Sequence, residues 1–443
     1  MEKIIFKSTI AIFGLINAFN VSASDFSENF NDSTLRIDYI LAGGPNGPQI
    51  YIDSSSKQAG WAGRRKRLNK TPIAGNGTIL VLDPEKGDTL YMNPFSTLFQ
   101  EWILTPEAET ESFSFENSFL MPLPKQDADI VLELRDNQQR PVANLKHRYR
   151  ADDELVAVVG QNPLPHTYIY DGEGDNKIDI AFVAEGFRED EMDKFVNKAK
   201  QISEEILSYE PFASNKEKFR FVAVKTPSNE SGVSIPLKKD WRNTAFDSHF
   251  STFYSPRYLT VPRVKKLHQS LEGIPYEHIF ILVNTPEYGG GGIFNSYQVA
   301  TTDHPYTLQV AVHEFGHSFA GLADEYFYAG EENDTYMESV EPWEKNVTTL
   351  ADFNSKWADK LPKDTPIPTP WNKELNSREK NMEKAKTDSL VEMKIGVYEG
   401  AGYRSEGVYR PFLTCRMRDN EYPAFCDVCE DAISEIIEFY TSE

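Results

Sequence analysis

One segment, His313-Glu314-Phe315-Gly316-His317, constrains the fold more than any other part of the chain. Apolar residues recur around it at helical spacing; they are Leu308, Ala311, Val312, Phe315, Phe319 and Leu322. Because helical residues advance by about 100° each, His313 and His317 point away from Phe315 and Phe319. The pattern predicts a helix that buries one face in the core and presents two imidazoles, one turn apart, on the other.

Two imidazoles one turn apart suit Zn²⁺, which binds His nitrogens at about 2.0–2.1 Å. Glu314 would lie beside the metal, where it can take a proton from metal-activated water and pass it to a leaving amine. A catalytic zinc needs a third protein ligand. Gly321 can end the helix with a positive φ, and the turn would then return Asp324 to the metal beside His313 and His317. Glu325 and a distant carboxylate remain alternatives for that third ligand.

The metzincin pattern H-E-x-x-H-x-x-G-x-x-H is similar, but here the Gly comes one position late and Asp324 stands in place of the last His. Metzincins place a Met in a turn beneath the zinc, and Met417 is the candidate for that position. Tyr409, or alternatively Tyr403, could act catalytically by reaching the oxyanion. Arg410 could bind a carboxylate of the substrate.

A run of four glycines follows Tyr288 and precedes the predicted zinc helix. A phosphate cradle would require a helix directly after the glycines, and the residues that follow them do not predict one. We expect a bulged edge strand to which an extended peptide adds through main-chain hydrogen bonds. The predicted substrate-binding residues are therefore Tyr288, Gly290, Gly291 and Gly292. A flexible loop is the alternative.

Hydrophobic periodicity divides the chain into two regions. Short alternating runs at residues 35–39, 78–82 and 130–134, separated by turn signals, predict a β-sandwich over residues 24–160. Residues 161–443 alternate buried strands, at 178–183, 219–224 and 278–283, with a helical pattern from 192 to 206. The predicted fold is mixed α+β, in which the second region forms a zinc peptidase domain with a mixed sheet and an active-site helix.

Residues 1–23 have the pattern of a secretory signal. Lys3 and Lys7 precede an apolar stretch at residues 10–19, and Val21-Ser22-Ala23 forms a small-residue cleavage site. That stretch is shorter than the roughly 20 residues of a membrane span. The sequence therefore predicts export to the periplasm, the cell surface or the medium, without membrane insertion after cleavage. The net charge of −22 disfavours binding to nucleic acid.

Cys415, Cys426 and Cys429 are the only cysteines of the chain. In an exported protein one disulfide, which joins Cys415 to Cys426 or Cys429, is expected. A structural zinc on the C-x-x-C pair would need a fourth ligand that the sequence does not make obvious.

Taken together, these motifs resemble the bacterial IgA metallopeptidase family. The resemblance rests mainly on HEFGHSFAGLADEY at residues 313–326, with support from AEGF at 184–187, Tyr288 with its glycines, YEGAG at 398–402 and YRPFLTCRMRD at 409–419. It implies a zinc endopeptidase of metzincin-like fold behind an N-terminal β-sandwich, with zinc on His313 and His317 and with Glu314 catalytic. The expected partner is a protein or peptide substrate, with a host glycoprotein or immunoglobulin as one possibility.

Two other functions stay open on the sequence. An exported protein that binds glycans or host surfaces could carry the zinc as a structural or inactive site, and a closed site with four protein ligands would favour that reading. Another zinc hydrolase could act on non-peptide amides. The expected edge strand favours extended peptides over such small amides.

Overall fold

The first region of the chain is built mainly from strands. The structure, a computed structural model, describes residues 26–327, 335–371 and 394–442, so the predicted signal at 1–23 lies outside the described residues. The elements of the first region are α1 (Phe26–Asn29), β1 (Phe30–Gly43), β2 (Gln49–Ala59), β3 (Gly77–Leu82), β4 (Thr89–Phe95), α2 (Leu98–Trp102), β5 (Phe113–Pro124), β6 (Ala128–Arg135), β7 (Pro141–Tyr149) and β8 (Ala157–Val158).

These strands form two four-stranded sheets, in the orders β5-β1-β2-β8 and β4-β3-β6-β7. The apolar residues of β1 that lie two apart, Leu35, Ile37, Tyr39 and Leu41, all enter one core, as the period of two along a strand requires. Leu35 and Ile37 of β1 share one hydrophobic cluster with Ile79 of β3 and Leu132 of β6. The three strands expected at 35–39, 78–82 and 130–134 are confirmed, and both sheets contribute to a single core.

The second region alternates strands and helices, with short 3₁₀ turns between several of them. Its elements are β9 (His166–Asp171), β10 (Ile178–Glu185), α3 (Met192–Ile206), β11 (Phe219–Val224), α4 (Val264–Gln269), β12 (His278–Val283), β13 (Gly290–Ile293), β14 (Tyr297–Thr301), α5 (Thr307–Ala320), β15 (Tyr398–Ala401), β16 (Arg404–Arg410) and α6 (Asp427–Thr441). The strands and the helix expected in this region are confirmed. No helix of the described ranges is long and apolar enough to cross a bilayer.

A six-stranded mixed sheet organises this region, in the order β13-β14-β12-β10-β11-β9. The four inner strands are parallel, and the two outer strands, β13 and β9, are antiparallel to their neighbours. Along β10, Ile180 and Phe182 belong to one core cluster, whereas Ala181 and Val183 belong to another. Both faces of β10 are therefore covered, which explains why the central strands are apolar without alternation.

The two regions meet beside the edge strand β13. The amide of Ser96 donates to the carbonyl of Phe294 at 2.9 Å, and the side chain of Asn295 donates to the carbonyl of Pro94 at 2.9 Å. Trp343 Nε1 donates to Asn76 Oδ1 at 2.7 Å. The first region thus supports the segment that follows the glycines. The division into two domains near residue 160 stays a prediction.

Candidate metal centre

Helix α5 carries both histidines of the HEFGH segment. Its apolar face is buried, with the rings of Phe315 and Phe319 centred 5.2 and 5.8 Å from that of Phe212. The helix ends at Gly321, whose φ of 61° and ψ of 34° are left-handed. A glycine adopts this conformation without steric cost, so the chain can reverse at once. The predicted turn at Gly321 is confirmed.

The reversal brings a carboxylate to the two imidazoles. Asp324 Oδ1 lies 3.0 Å from His313 Nε2 and 3.2 Å from His317 Nε2, and the two Nε2 atoms are 3.1 Å apart. The three side chains are 8%, 15% and 10% exposed for His313, His317 and Asp324 respectively. Three potential metal-ligand atoms therefore converge on one small volume close to the surface.

Backbone carbonyls fix the orientation of both imidazoles. His313 Nδ1 lies 3.0 Å from the carbonyl oxygen of Arg416, and His317 Nδ1 lies 2.5 Å from that of Leu322. Since a carbonyl only accepts, each Nδ1 carries the proton and donates it. Each Nε2 then turns a lone pair toward Asp324, which is the tautomer that a metal ligand requires.

Three acceptor atoms this close repel each other unless a cation lies between them. Asp324 Oδ1 is buried and has no hydrogen-bond partner among the described residues. Ligand atoms about 2.0–2.1 Å from a tetrahedral Zn²⁺ are about 3.3 Å apart, close to the separations in this triangle. The residues present therefore fit a single divalent ion with two nitrogens and one oxygen from the protein.

The pKa values of His317 and Asp324 also show that positive charge is stabilised between these side chains. Burial alone would lower the pKa of His317, but the carboxylate of Asp324 outweighs it and raises this pKa to about 9. Burial would raise the pKa of Asp324, but the two histidines hold it far below its usual range. The site thus attracts a proton in the position that a divalent cation would occupy.

Glu314 lies between the histidines and the edge strand. A Cβ atom on Gly290 would lie 2.9 Å from Glu314 Oε1, and one on Gly292 would lie 2.4 Å from the carbonyl oxygen of Glu314. The glycines therefore let β13 lie directly against α5. Desolvation raises the pKa of Glu314, and the neighbouring His313 and His317 oppose that rise.

β13 is an edge strand, as expected from the glycines, but the expected bulge is absent, since the strand pairs with β14 in unbroken register. Its outer side is also partly covered. Gly290 forms a bridge with Tyr258, whose hydroxyl donates to Glu101 at 2.5 Å. Gly291 and Gly292 are half-buried. Tyr288 lies before the strand, with its ring 5.1 Å from that of His304. No sequence pattern indicates the Tyr258 bridge.

Met417 lies directly beneath α5. It is fully buried, and a Cβ on Gly316 would lie 2.6 Å from its sulfur. Its carbonyl accepts from the amide of Glu325 at 2.8 Å. Met417 thus contacts α5 between the two histidines and also holds the loop that carries Asp324, which suits the position expected of the methionine turn.

Tyr403, the alternative to Tyr409, is the tyrosine that lies at the site. Its hydroxyl donates to Asp324 Oδ2 at 2.5 Å and lies 3.0 Å from that of Tyr326. Desolvation, followed by the charge of Asp324, raises the pKa of Tyr403 well above its usual value, so it remains a donor. Tyr409 instead lies among acidic residues, and desolvation, followed by the charge of Glu399, raises its pKa. The structure does not bring Tyr409 to the metal ligands.

Arg410 and Glu325 also lie elsewhere than expected. Arg410 is fully buried, and its guanidinium donates to the carbonyls of Phe412 and Gly400, so no substrate can reach it. The prediction that Arg410 binds a substrate carboxylate is therefore wrong. Glu325 faces away from the histidines toward Cys429, which removes it as the alternative third ligand.

Comparison with known families decides the assignment. The profile described as IgA Peptidase M64 matches residues 169–390 and 375–437, and the profile described as Peptidase M64 N-terminus matches residues 25–146. The chain belongs to the IgA peptidase M64 family. As an M64 peptidase it is a metallopeptidase, and its family implies a metal ion for which the described residues offer candidate ligand clusters.

Other comparisons are remote. No curated protein matches the M64 chain at a significant level. Among solved structures, metalloproteinase-II from Bacteroides fragilis is similar over 60% of this chain and 85% of its own, at 12% identity and a TM-score of 0.21. A likeness at this level carries no argument about the site.

Sequence reasoning missed the residues that support the ligands. The carbonyls of Arg416 and Leu322 orient the imidazoles, but any residue type can supply a carbonyl, so no sequence signal exists. Asn346 accepts from the amide of Ala323 at 2.8 Å and donates to Glu325 Oε1 at 2.9 Å. Asn346 therefore holds the loop that carries Asp324, and no local sequence pattern reveals this contact because the two segments are distant along the chain.

Proposed function

We propose that this M64 peptidase is an exported zinc endopeptidase in which Glu314 is the general base. The observation that carries the proposal is the triangle of His313 Nε2, His317 Nε2 and Asp324 Oδ1, with Glu314 beside it. We further propose an N-terminal β-sandwich and a metzincin-like catalytic domain. The two sheets with a common core and the helix–turn–aspartate arrangement support these proposals.

His313, His317 and Asp324 would hold the zinc, and this leaves a coordination position for water or substrate. When bound, the ion supplies Lewis acidity, which makes water a nucleophile at neutral pH and polarises a peptide carbonyl. Tyr403 holds Asp324 in place by donating its hydroxyl proton to that carboxylate. The hydroxyl of Tyr326 lies 3.0 Å from that of Tyr403, and we propose that Tyr326 turns its proton toward the oxyanion and stabilises it.

Glu314 moves the proton in this scheme. Its carboxylate accepts a proton from the attacking water and gives it to the nitrogen of the leaving amine. Desolvation of Glu314 raises its pKa and so makes it a better base toward water than an exposed carboxylate. Since the carboxylate lies against β13, a peptide paired with that strand would run past it.

We propose that an extended segment of a protein substrate pairs with β13 near Gly291 and Gly292. Both residues lack side chains that would hold the substrate backbone away from α5. The bridge from Tyr258 to Gly290 sets one end of this stretch. Because the family description names IgA, immunoglobulin A is the first folded protein to test, alongside other host glycoproteins.

The test is a peptide-library digest by the zinc-loaded protein, read by mass spectrometry. Glu314→Gln keeps the shape and the metal ligands but removes the base, so we expect unchanged zinc content and about 10²–10⁴-fold slower cleavage. Full activity in this variant would overturn the role of Glu314. A wild-type protein that binds zinc and cleaves no peptide would favour the binding-protein alternative.

A further inference from the structure

A second cluster of metal-ligand side chains lies behind the methionine turn. Ligand atoms of Cys415, Cys426, Cys429 and Glu325 all lie within 4.8 Å of one another, and all four residues are buried. Cys415 Sγ is 3.7 Å from Cys429 Sγ, and Cys429 Sγ is 3.2 Å from Glu325 Oε1. The cluster therefore joins three sulfurs and one carboxylate from two distant parts of the chain.

The sulfurs are spaced for a shared ion. All three cysteines are free in the structure, so the expected disulfide to Cys415 is not formed. Two sulfurs bound to one tetrahedral Zn²⁺ at about 2.3 Å each are about 3.8 Å apart, whereas bonded sulfurs are about 2.05 Å apart. The separation of 3.7 Å between Cys415 and Cys429 matches the first arrangement.

The carboxylate supplies the fourth ligand that the sequence did not reveal. Glu325 is fully buried, and its Oε1 accepts from Asn346 Nδ2 at 2.9 Å. Its Oε2 is buried without a hydrogen-bond partner among the described residues. An ionised carboxylate is costly to bury unless a charge or a metal compensates it. A cation among the sulfurs would provide that compensation.

The local backbone also suits thiolates. Cys426 is the N-cap of α6, a 15-residue helix, and Cys429 lies in its first turn. Negative charge is stabilised at a helix N-terminus. The amide of Cys426 donates to Cys415 Sγ at 3.2 Å, a bond that favours the ionised sulfur. The sulfur of Cys415 thus lies where a thiolate is favoured, whereas burial raises the pKa of Cys426 and of Cys429 in the absence of a cation.

We propose that Cys415, Cys426, Cys429 and Glu325 bind a second, structural zinc ion. Four protein ligands leave no open position, so this ion would not take part in hydrolysis. Binding releases to solvent whichever protons the three sulfurs and the Glu325 carboxyl still carry, and nothing is oxidised or reduced. The proposal does not depend on the peptidase activity.

The second ion would brace the catalytic one. Glu325 directly follows Asp324, and Cys415 lies two residues before Met417. The carbonyl of Arg416, between Cys415 and Met417, accepts from His313. A zinc on the cluster therefore ties the loop of the third catalytic ligand to the turn beneath α5 and to the start of α6.

The decisive experiment counts zinc and identifies its ligands in the full-length protein. We expect two zinc ions per chain in the wild type and one in the double variant His313→Ala/His317→Ala. X-ray absorption of the double variant should show three sulfur neighbours at about 2.3 Å. A double variant that holds no zinc, or zinc without sulfur neighbours, would overturn the proposal.

A reciprocal variant and the redox state complete the test. Cys429→Ser should keep one zinc, with nitrogen and oxygen neighbours only, and should unfold at a lower temperature than the wild type. Intact mass of the denatured wild type, without reductant, should show three thiols. A chain two hydrogens lighter would show a disulfide and overturn the proposal. A wild type that cleaves no peptide but still holds sulfur-bound zinc would contradict only the proposed function.

Discussion

At the scale of single residues, Tyr403 and Tyr409 give a matched pair of variants. Tyr403→Phe removes a hydrogen bond to the charged Asp324, a loss worth about 1.5–3 kcal/mol. We expect zinc affinity to fall about 10–100-fold and cleavage to slow. Tyr409→Phe removes the same group outside the site and should leave both unchanged. Zinc titration with peptide kinetics checks this, and the reverse ranking would restore Tyr409 as the catalytic tyrosine.

At this scale, spacing along one helix predicted more than composition could. His313 and His317 were predictable because a spacing of four residues on a helix places two side chains on one face. Asp324 followed from the reversal at Gly321. The choice between Tyr403 and Tyr409 was not predictable, since it depends on the turn between β15 and β16. Tyr403 lies in that turn with a φ of 63°, a conformation that the local sequence does not predict.

At the scale of elements, the sequence predicted an edge strand at the glycine run but did not reveal why glycine is needed there. The edge strand was expected because no helix follows the glycines, and β13 is such a strand. The need for glycine comes instead from contact with α5, which is far along the chain. At Gly292 a Cβ would meet the carbonyl of Glu314 at 2.4 Å and the Cβ of His317 at 2.9 Å. Only the tertiary arrangement shows this contact.

We therefore expect Gly291 and Gly292 to differ in how well each tolerates substitution by Ala. Gly292→Ala forces β13 away from α5, so we expect a loss of about 1–3 kcal/mol in unfolding free energy and weaker zinc binding. Gly291→Ala is the milder control, because its Cβ would meet the Tyr258 ring at 3.1 Å and the Leu259 carbonyl oxygen at 3.3 Å rather than α5. Urea unfolding and zinc titration of both variants compare them. Equal effects would show that close packing on α5 is not the reason for glycine.

At the scale of the whole molecule, the strands were predictable from the sequence, but the contacts between segments distant along the chain were not. Periodicity located the strands because burial alternates or persists along each one. The four-ligand cluster joins residue 325 to residues 415–429, and no local pattern pairs them. The same holds for Trp343 and Asn76, which connect the two regions across more than half of the chain. Long-range pairs of this kind need the fold itself.

The sheet also predicts how stability responds to acid. His278 on β12 packs between the rings of Phe319 and Tyr440, and burial lowers its pKa to about 3. The unfolded chain binds a proton at this residue below about pH 6.5, whereas the folded chain does not until about pH 3. The unfolding free energy therefore falls as pH decreases from 6.5 toward 3, by at most about 1.4 kcal/mol per pH unit from this residue.

His278→Leu removes that contribution while it keeps an apolar side chain in the core. We expect its unfolding free energy to fall less steeply than that of the wild type between pH 6.5 and 4, measured by urea unfolding at each pH. His166→Leu, at an exposed position, is the control and should follow the wild type. Parallel curves for His278→Leu and the wild type would show that His278 is not kept neutral by burial.

The convergence of two imidazoles and one carboxylate on a single ion is tested most directly by a crystal of the zinc-loaded protein. Anomalous scattering at the zinc edge locates the ion without reference to activity. We expect a peak about 2.0–2.2 Å from His313 Nε2, His317 Nε2 and Asp324 Oδ1. Density without a peak there, or a peak that Asp324 does not contact, would contradict the account.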